Sequence, residues 1–155
     1  MTAPTSKNFA GITDPKRIGE LMRAIDGYVG QPATGTALKL APLVFVRPGE
    51  LRAAEWAEFN HEGKEPEWRI PGAKMGEQHI VSLSRQTVAI IKDLKRFTGD
   101  GQYLFPSLRA PSRCMSNNTI NAALRRLGYD SAEIVGHGFR AMASTLLMSK
   151  DGTPT

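Results

Sequence analysis

The chain has a single cysteine, Cys114, and only three histidines among its 155 residues. One thiol cannot close an internal disulfide, which fits a reducing compartment. So few scattered ligands argue against a structural zinc site, and no metal is expected. Long apolar runs are missing as well. The stretch Leu43-Val44-Phe45-Val46 is far too short to cross a bilayer, and Met1 to Ala10 contains no apolar core of the kind a signal peptide needs. A soluble, intracellular protein with no membrane partner is therefore expected. There is no Gly-x-Ser-x-Gly, no Gly-rich loop ending in Lys-Ser/Thr, and no pairing of cysteine with histidine. The carboxylates do not cluster as metal ligands. Nothing points to a hydrolase triad, a nucleotide-binding loop or a bound cofactor.

What is present is an ordinary globular mixture, 41% apolar and 23% charged, and the length suits one domain. Lys and Arg total 20 against 15 for Asp and Glu, a net charge of +5. That balance favours a polyanionic partner without identifying one. Residues 1–12, rich in Thr, Ser, Pro and Ala, read as a tail or linker; residues 13–147 carry the domain; and residues 148–155 lack a helical stripe and read as a disordered tail.

Within the domain, Asp14-Pro15 predicts a helix start, with Ile18, Leu21, Met22 and Ile25 on one face and Gly27 at its end. A second helical pattern spans Thr34 to Phe45, where Pro42 predicts a kink or an early stop. Arg47-Pro48-Gly49 makes a turn before a helix over Glu50 to Phe59. Two short strands follow, Trp68 to Ile70 and His79 to Leu83, joined by a hairpin loop over Pro71 to Gln78. Ser84 to Thr98 returns to helix with Val88, Ile91 and Leu94 inward. Ser116 caps a further helix stopped by Gly128, and a last one begins near Gly138 and carries Phe139, Met142, Ala143, Leu146 and Leu147. The expected fold is α+β and mostly α, with a small antiparallel hairpin or sheet.

Four basic residues sit where loops meet element ends. Arg47 precedes a helix start, a place that suits phosphate, although a lone arginine at a turn is equally an ordinary surface residue. Glu50 either holds Arg47 or caps its helix. Lys74, in the hairpin loop, is either solvated or a mobile ammonium that protonates a leaving oxygen. His137 and Arg140 are spaced i, i+3 on one helical face.

In order along the chain, these residues resemble one family. Arg47-Pro48-Gly49-Glu50-Leu51-Arg52-Ala53-Ala54-Glu55-Trp56 is similar to the first arginine box of the tyrosine recombinases, the phage-type integrases. Leu40 to Val46 ahead of it resembles the flank seen in temperate-phage and genomic-island integrases. Lys74-Met75 followed by His79 to Leu83 resembles the family's β-hairpin lysine segment, and His137-Gly138-Phe139-Arg140-Ala141 its second arginine box. The resemblance implies site-specific DNA recombination: metal-free cleavage and rejoining of DNA through a 3′-phosphotyrosyl intermediate. It implies that Arg47 and Arg140 clamp the non-bridging phosphate oxygens, that His137 aids proton transfer, that Lys74 protonates the departing 5′-oxygen, and that Glu50 orients Arg47.

The family pattern also has a further His or Trp and then the nucleophilic tyrosine beyond the second box. The tyrosines here, Tyr28, Tyr103 and Tyr129, all precede it, so no nucleophile is expected in this chain. The domain reads as an incomplete catalytic domain, inactive alone, with a catalytically dead DNA-binding relic as the alternative and a basic helical nucleic-acid module as a third reading. The implied partners are double-stranded DNA at attachment sites and, at full length, other integrase protomers; the implied location is the bacterial cytoplasm, with the nucleoid. Lys92, Lys95, Arg96, Arg109, Arg113, Arg125 and Arg126 are candidate phosphate contacts.

Overall fold

The computed structural model describes residues 12, 14–44, 46–60, 63–72, 78–130, 134, 138 and 139. Helix α1, Pro15–Asp26, starts where the Asp14 carboxylate accepts from the Lys16 N–H at 3.1 Å, with Pro at the first helical position. Ile18, Leu21 and Ile25 are buried on one face, each stabilising the fold by about 1.5–3 kcal/mol through lost apolar exposure. Ile12, assigned to the tail from sequence, is itself buried in the core, so packing begins earlier than the sequence indicated.

Helix α2 spans Pro32–Leu40, shorter than the Thr34-to-Phe45 pattern. Pro42 lacks the N–H that a continuing helix needs, and the chain turns instead, with the Leu43 N–H donating to Leu40 C=O at 2.8 Å. Helix α3, Pro48–Arg52, is only five residues long. The continuous helix expected over Glu50 to Phe59 is replaced by three pieces: the end of α3, a 3-10 turn at Trp56–Glu58 and strand β1, Phe59–Asn60.

The reason is tertiary. Ala54 C=O accepts from the Leu104 N–H at 3.1 Å, the Trp56 N–H donates to Gln102 C=O at 3.0 Å, and Glu55 bridges Tyr103. These bonds draw the backbone out of its helical ladder. The Trp56 indole N–H then donates to Thr98 C=O at 2.9 Å.

Strand β2, Glu67–Pro71, pairs antiparallel with β1 on one side and with β3, Gln78–Ser82, on the other, giving the order β1-β2-β3. The hairpin was legible; β1 was not. Its Phe59 faces Trp68 across the ladder, the rings stacked at 4.9 Å, the cross-strand contact that stabilises small sheets. Burial alternates along β2, with Trp68 and Ile70 turned to the core.

Helix α4, Arg85–Thr98, is capped by the Ser84 hydroxyl accepting from the Thr87 N–H at 3.1 Å, and buries Thr87, Ile91 and Leu94. Helix α5, Asn117–Arg126, buries Ile120, Ala123 and Leu124. At its end Gly128 takes φ 98°, and the Tyr129 N–H returns to Leu124 C=O at 3.0 Å, a closure that favours glycine. Helix α2 packs on α1, α4 and α5, and α3 packs on α5. Of the last expected helix only Gly138 and Phe139 are described, both buried.

Candidate active site

Arg47 is the N-cap of α3 and is solvent-exposed. No hydrogen bond or ion pair to its guanidinium is found among the described residues. Its backbone is fixed: Glu50 Oε1 accepts from the Arg47 N–H at 2.9 Å, and Arg47 C=O accepts from the Leu51 N–H at 3.0 Å. Glu50 therefore holds Arg47 through the main chain as a helix cap and leaves the guanidinium out of that bond. A five-residue helix has a slight dipole, so the positive charge offered here comes from the side chain.

Lys74, His137 and Arg140 lie outside the described residues. Their neighbour Phe139 is placed: it lines a small cavity with Pro48, Leu51 and Arg52 of α3 and with Asn117 and Ile120 of α5. The residue that precedes Arg140 in the chain thus sits beside the helix that Arg47 caps. Arg52, which sequence reasoning passed over, reaches across this junction, its Nη1 donating to Met115 C=O at 3.2 Å. The only signal for it was a charged residue amid Leu51, Ala53 and Ala54.

The candidate phosphate contacts separate into two kinds. Arg96 on α4 is exposed, pairs with Asp93 at 2.9 Å and lies over the Phe97 ring; Lys92 and Lys95 on the same helix are also exposed. Arg109 and Arg113 are exposed on the loop after Pro106, which is closed by the Ser107 N–H donating to Arg113 C=O at 2.8 Å and by pairing of Pro106 with Cys114. Arg126 is exposed on α5 and, with Arg109, lines an open groove of ≈ 870 Å³ between α2, α4 and α5. No Asp or Glu is among the residues lining it.

Arg125 is of the other kind. Its Nε donates to Tyr129 C=O at 2.7 Å and its Nη2 to Ile134 C=O at 2.5 Å, so its guanidinium is engaged in holding the chain after α5. The three tyrosines are partly buried, with Tyr28 and Tyr129 packed against the core. Among the described residues no helix is long and apolar enough to cross a membrane, and no cluster of metal-ligating side chains is found.

The phage integrase family model matches residues 12–154. Putative protein IntB of Escherichia coli (strain K12) is 41% identical over 148 residues, covering 86% of this chain and 37% of that protein. The integrase of Enterobacteria phage P4 is 42% identical over 142 residues, covering 82% and 32%. The chain thus spans about a third of the length of these curated relatives.

Among solved structures, XerA recombinase superposes with a TM-score of 0.72 at 18% identity, covering 97% of this chain and 54% of that one. XerH site-specific recombinase bound to difH substrate gives 0.72 at 15% identity, covering 95% and 46%. At such identities the likeness is one of fold, and it agrees with the mostly helical domain and its three-stranded antiparallel sheet. With the family model spanning nearly the whole chain, the protein belongs to the phage integrase family.

Proposed function

We propose that this domain serves site-specific recombination of phage or genomic-island DNA, and that its contribution is the electrostatic clamp on the scissile phosphate. The observation that carries this reading is the exposed guanidinium of Arg47, with no partner among the described residues, on a backbone fixed by Glu50. During attack on a phosphodiester, negative charge develops on the non-bridging oxygens. A planar guanidinium held in place stabilises it without reorganising and can donate through two parallel N–H groups. Arg140 supplies the second fork, His137 handles the proton of the nucleophile and Lys74 protonates the departing 5′-oxygen, each in the role its family motif implies. No step needs a metal or a cofactor.

The nucleophile is not among these residues, because no tyrosine follows Arg140. The 155 residues alone are therefore expected to bind DNA and to form no phosphotyrosyl link. Arg96, Arg109, Arg113 and Arg126 are the phosphate contacts of the flanking duplex; Arg125 is not one of them, since its Nε and Nη2 donate to the carbonyls of Tyr129 and Ile134. Double-stranded DNA and other protomers are the partners, and the protein works with the chromosome in the cytoplasm.

The test is fluorescence anisotropy with a labelled duplex of mixed sequence across a salt series. Backbone-directed binding weakens steeply as salt rises, in proportion to the phosphates neutralised. Affinity that stays level between low and moderate salt overturns the DNA reading, and a covalent adduct formed by this chain alone overturns the assignment of the nucleophile.

A further inference from the structure

Arg52 closes α3 in a way its neighbours do not require. Its Nη1 donates to Met115 C=O at 3.2 Å, and the Met115 N–H itself donates to Phe105 C=O at 2.7 Å. Leu104 and Phe105 are fully buried, so the carbonyl that Arg52 grips is anchored to the core. The Nε of Arg52 is buried and has no hydrogen-bond partner among the described residues. A buried donor left unpaired is destabilising, and an unbranched apolar side chain would occupy the same space without that penalty. Breaches of local rules of this kind collect where function constrains the residue.

The location says what the constraint is. A helix of five residues is far too short to hold its own conformation, so the direction of Arg47 depends on what grips α3 at each end. Glu50 fixes the leading end through the Arg47 N–H. At the trailing end Arg52, which lines the same cavity as Phe139, straps α3 to Met115, the residue before the Ser116 N-cap of α5.

We infer that Arg52 is a positioning residue, which sets the angle at which α3 presents Arg47 to a DNA phosphate and acts through the Met115 carbonyl without touching the DNA. The inference rests on the clamp reading above.

The experiment is a double-mutant cycle on the 155-residue chain: wild type, Arg47→Ala, Arg52→Met and the double variant. Duplex affinity is measured against salt, together with each melting temperature. A weaker, less salt-dependent Arg47→Ala supports the clamp; an Arg47→Ala indistinguishable from wild type overturns the clamp, and the Arg52 inference with it. Given the clamp, Arg52→Met is expected to weaken binding about five-fold and to lower the salt slope by about one, as loss of one phosphate contact does. Its melting temperature stays level or rises.

In the Arg47→Ala background the same substitution has no further effect, because coupled residues are non-additive. An equal loss in both backgrounds, or no loss in either, overturns the positioning role while leaving the clamp intact. Should Arg52→Met fail to fold, Arg52→Lys keeps a donor for the Met115 carbonyl and is measured in the same two backgrounds. A smaller loss confined to the chain that retains Arg47 upholds the inference, and a loss in both overturns it.

Discussion

Two arginines at helix ends, Arg47 before α3 and Arg125 near the end of α5, do opposite things with the same chemistry. Arg47 has its backbone tied down and its guanidinium without a partner among the described residues; Arg125 has its guanidinium tied to the carbonyls of Tyr129 and Ile134. A fixed main chain with a free cation makes a site for an external anion. A bound cation completes the hydrogen bonding of its own fold. Counting positive charges does not separate the two cases; following where each N–H goes does.

Substitutions can break that comparison, and the largest effect is expected at Arg47. In a tyrosine-bearing recombinase that carries residues 12–147 of this chain, Arg47→Ala should lower strand cleavage by about a hundred- to a thousand-fold, the usual loss on removing a preorganised donor to developing charge. The melting temperature should not move. A variant that cleaves at the wild-type rate removes Arg47 from the site.

Arg125→Ala should show the reverse pattern. Loss of two bonds from a charged donor is worth about 2 kcal/mol, or a fall of about 4–8 °C in melting temperature, with the salt slope of DNA binding unchanged. A lowered slope with unchanged stability would place Arg125 on the DNA after all.

Glu50→Ala tests whether the main-chain tie matters. It should reduce stability by about 1 kcal/mol, as loss of a cap does, and weaken binding only in chains that retain Arg47. The smallest effect is expected at Asp93, whose ion pair with Arg96 is about 70% exposed on both sides. Asp93→Ala should leave melting unchanged, since such pairs contribute little, and strengthen duplex binding at most about two-fold by freeing Arg96.

The helices with a single apolar stripe were legible in the sequence. For α1, α4 and α5, spacing and end residues such as Asp14, Ser84 and Gly128 act locally, and local signals survive folding. The hairpin was legible for the same reason, from the alternation around Trp68 and Ile80. What escaped was decided by distant partners. The break after α3 depends on Gln102 and Leu104, and β1 depends on Trp68 lying opposite Phe59. The cap that joins Glu50 to Arg47 was legible because their motif is contiguous. The bond from Arg52 to Met115 was not, since its acceptor lies far along the chain, and neither was the engagement of Arg125, whose acceptors are backbone atoms that no pattern of residue types reveals.

The pairing of residues 54–56 with 102–104 has a consequence for the order in which the protein is made. Arg47 leaves the ribosome before the sheet and α4 exist, yet the segment that follows its helix is held at Ala54 and Trp56 by Leu104 and Gln102. Contacts between such distant segments form only after the intervening chain has closed. The surroundings of Arg47 are thus among the last parts to mature, and a nascent chain does not fix the break after α3 until the buried Leu104-Phe105 segment has folded into place.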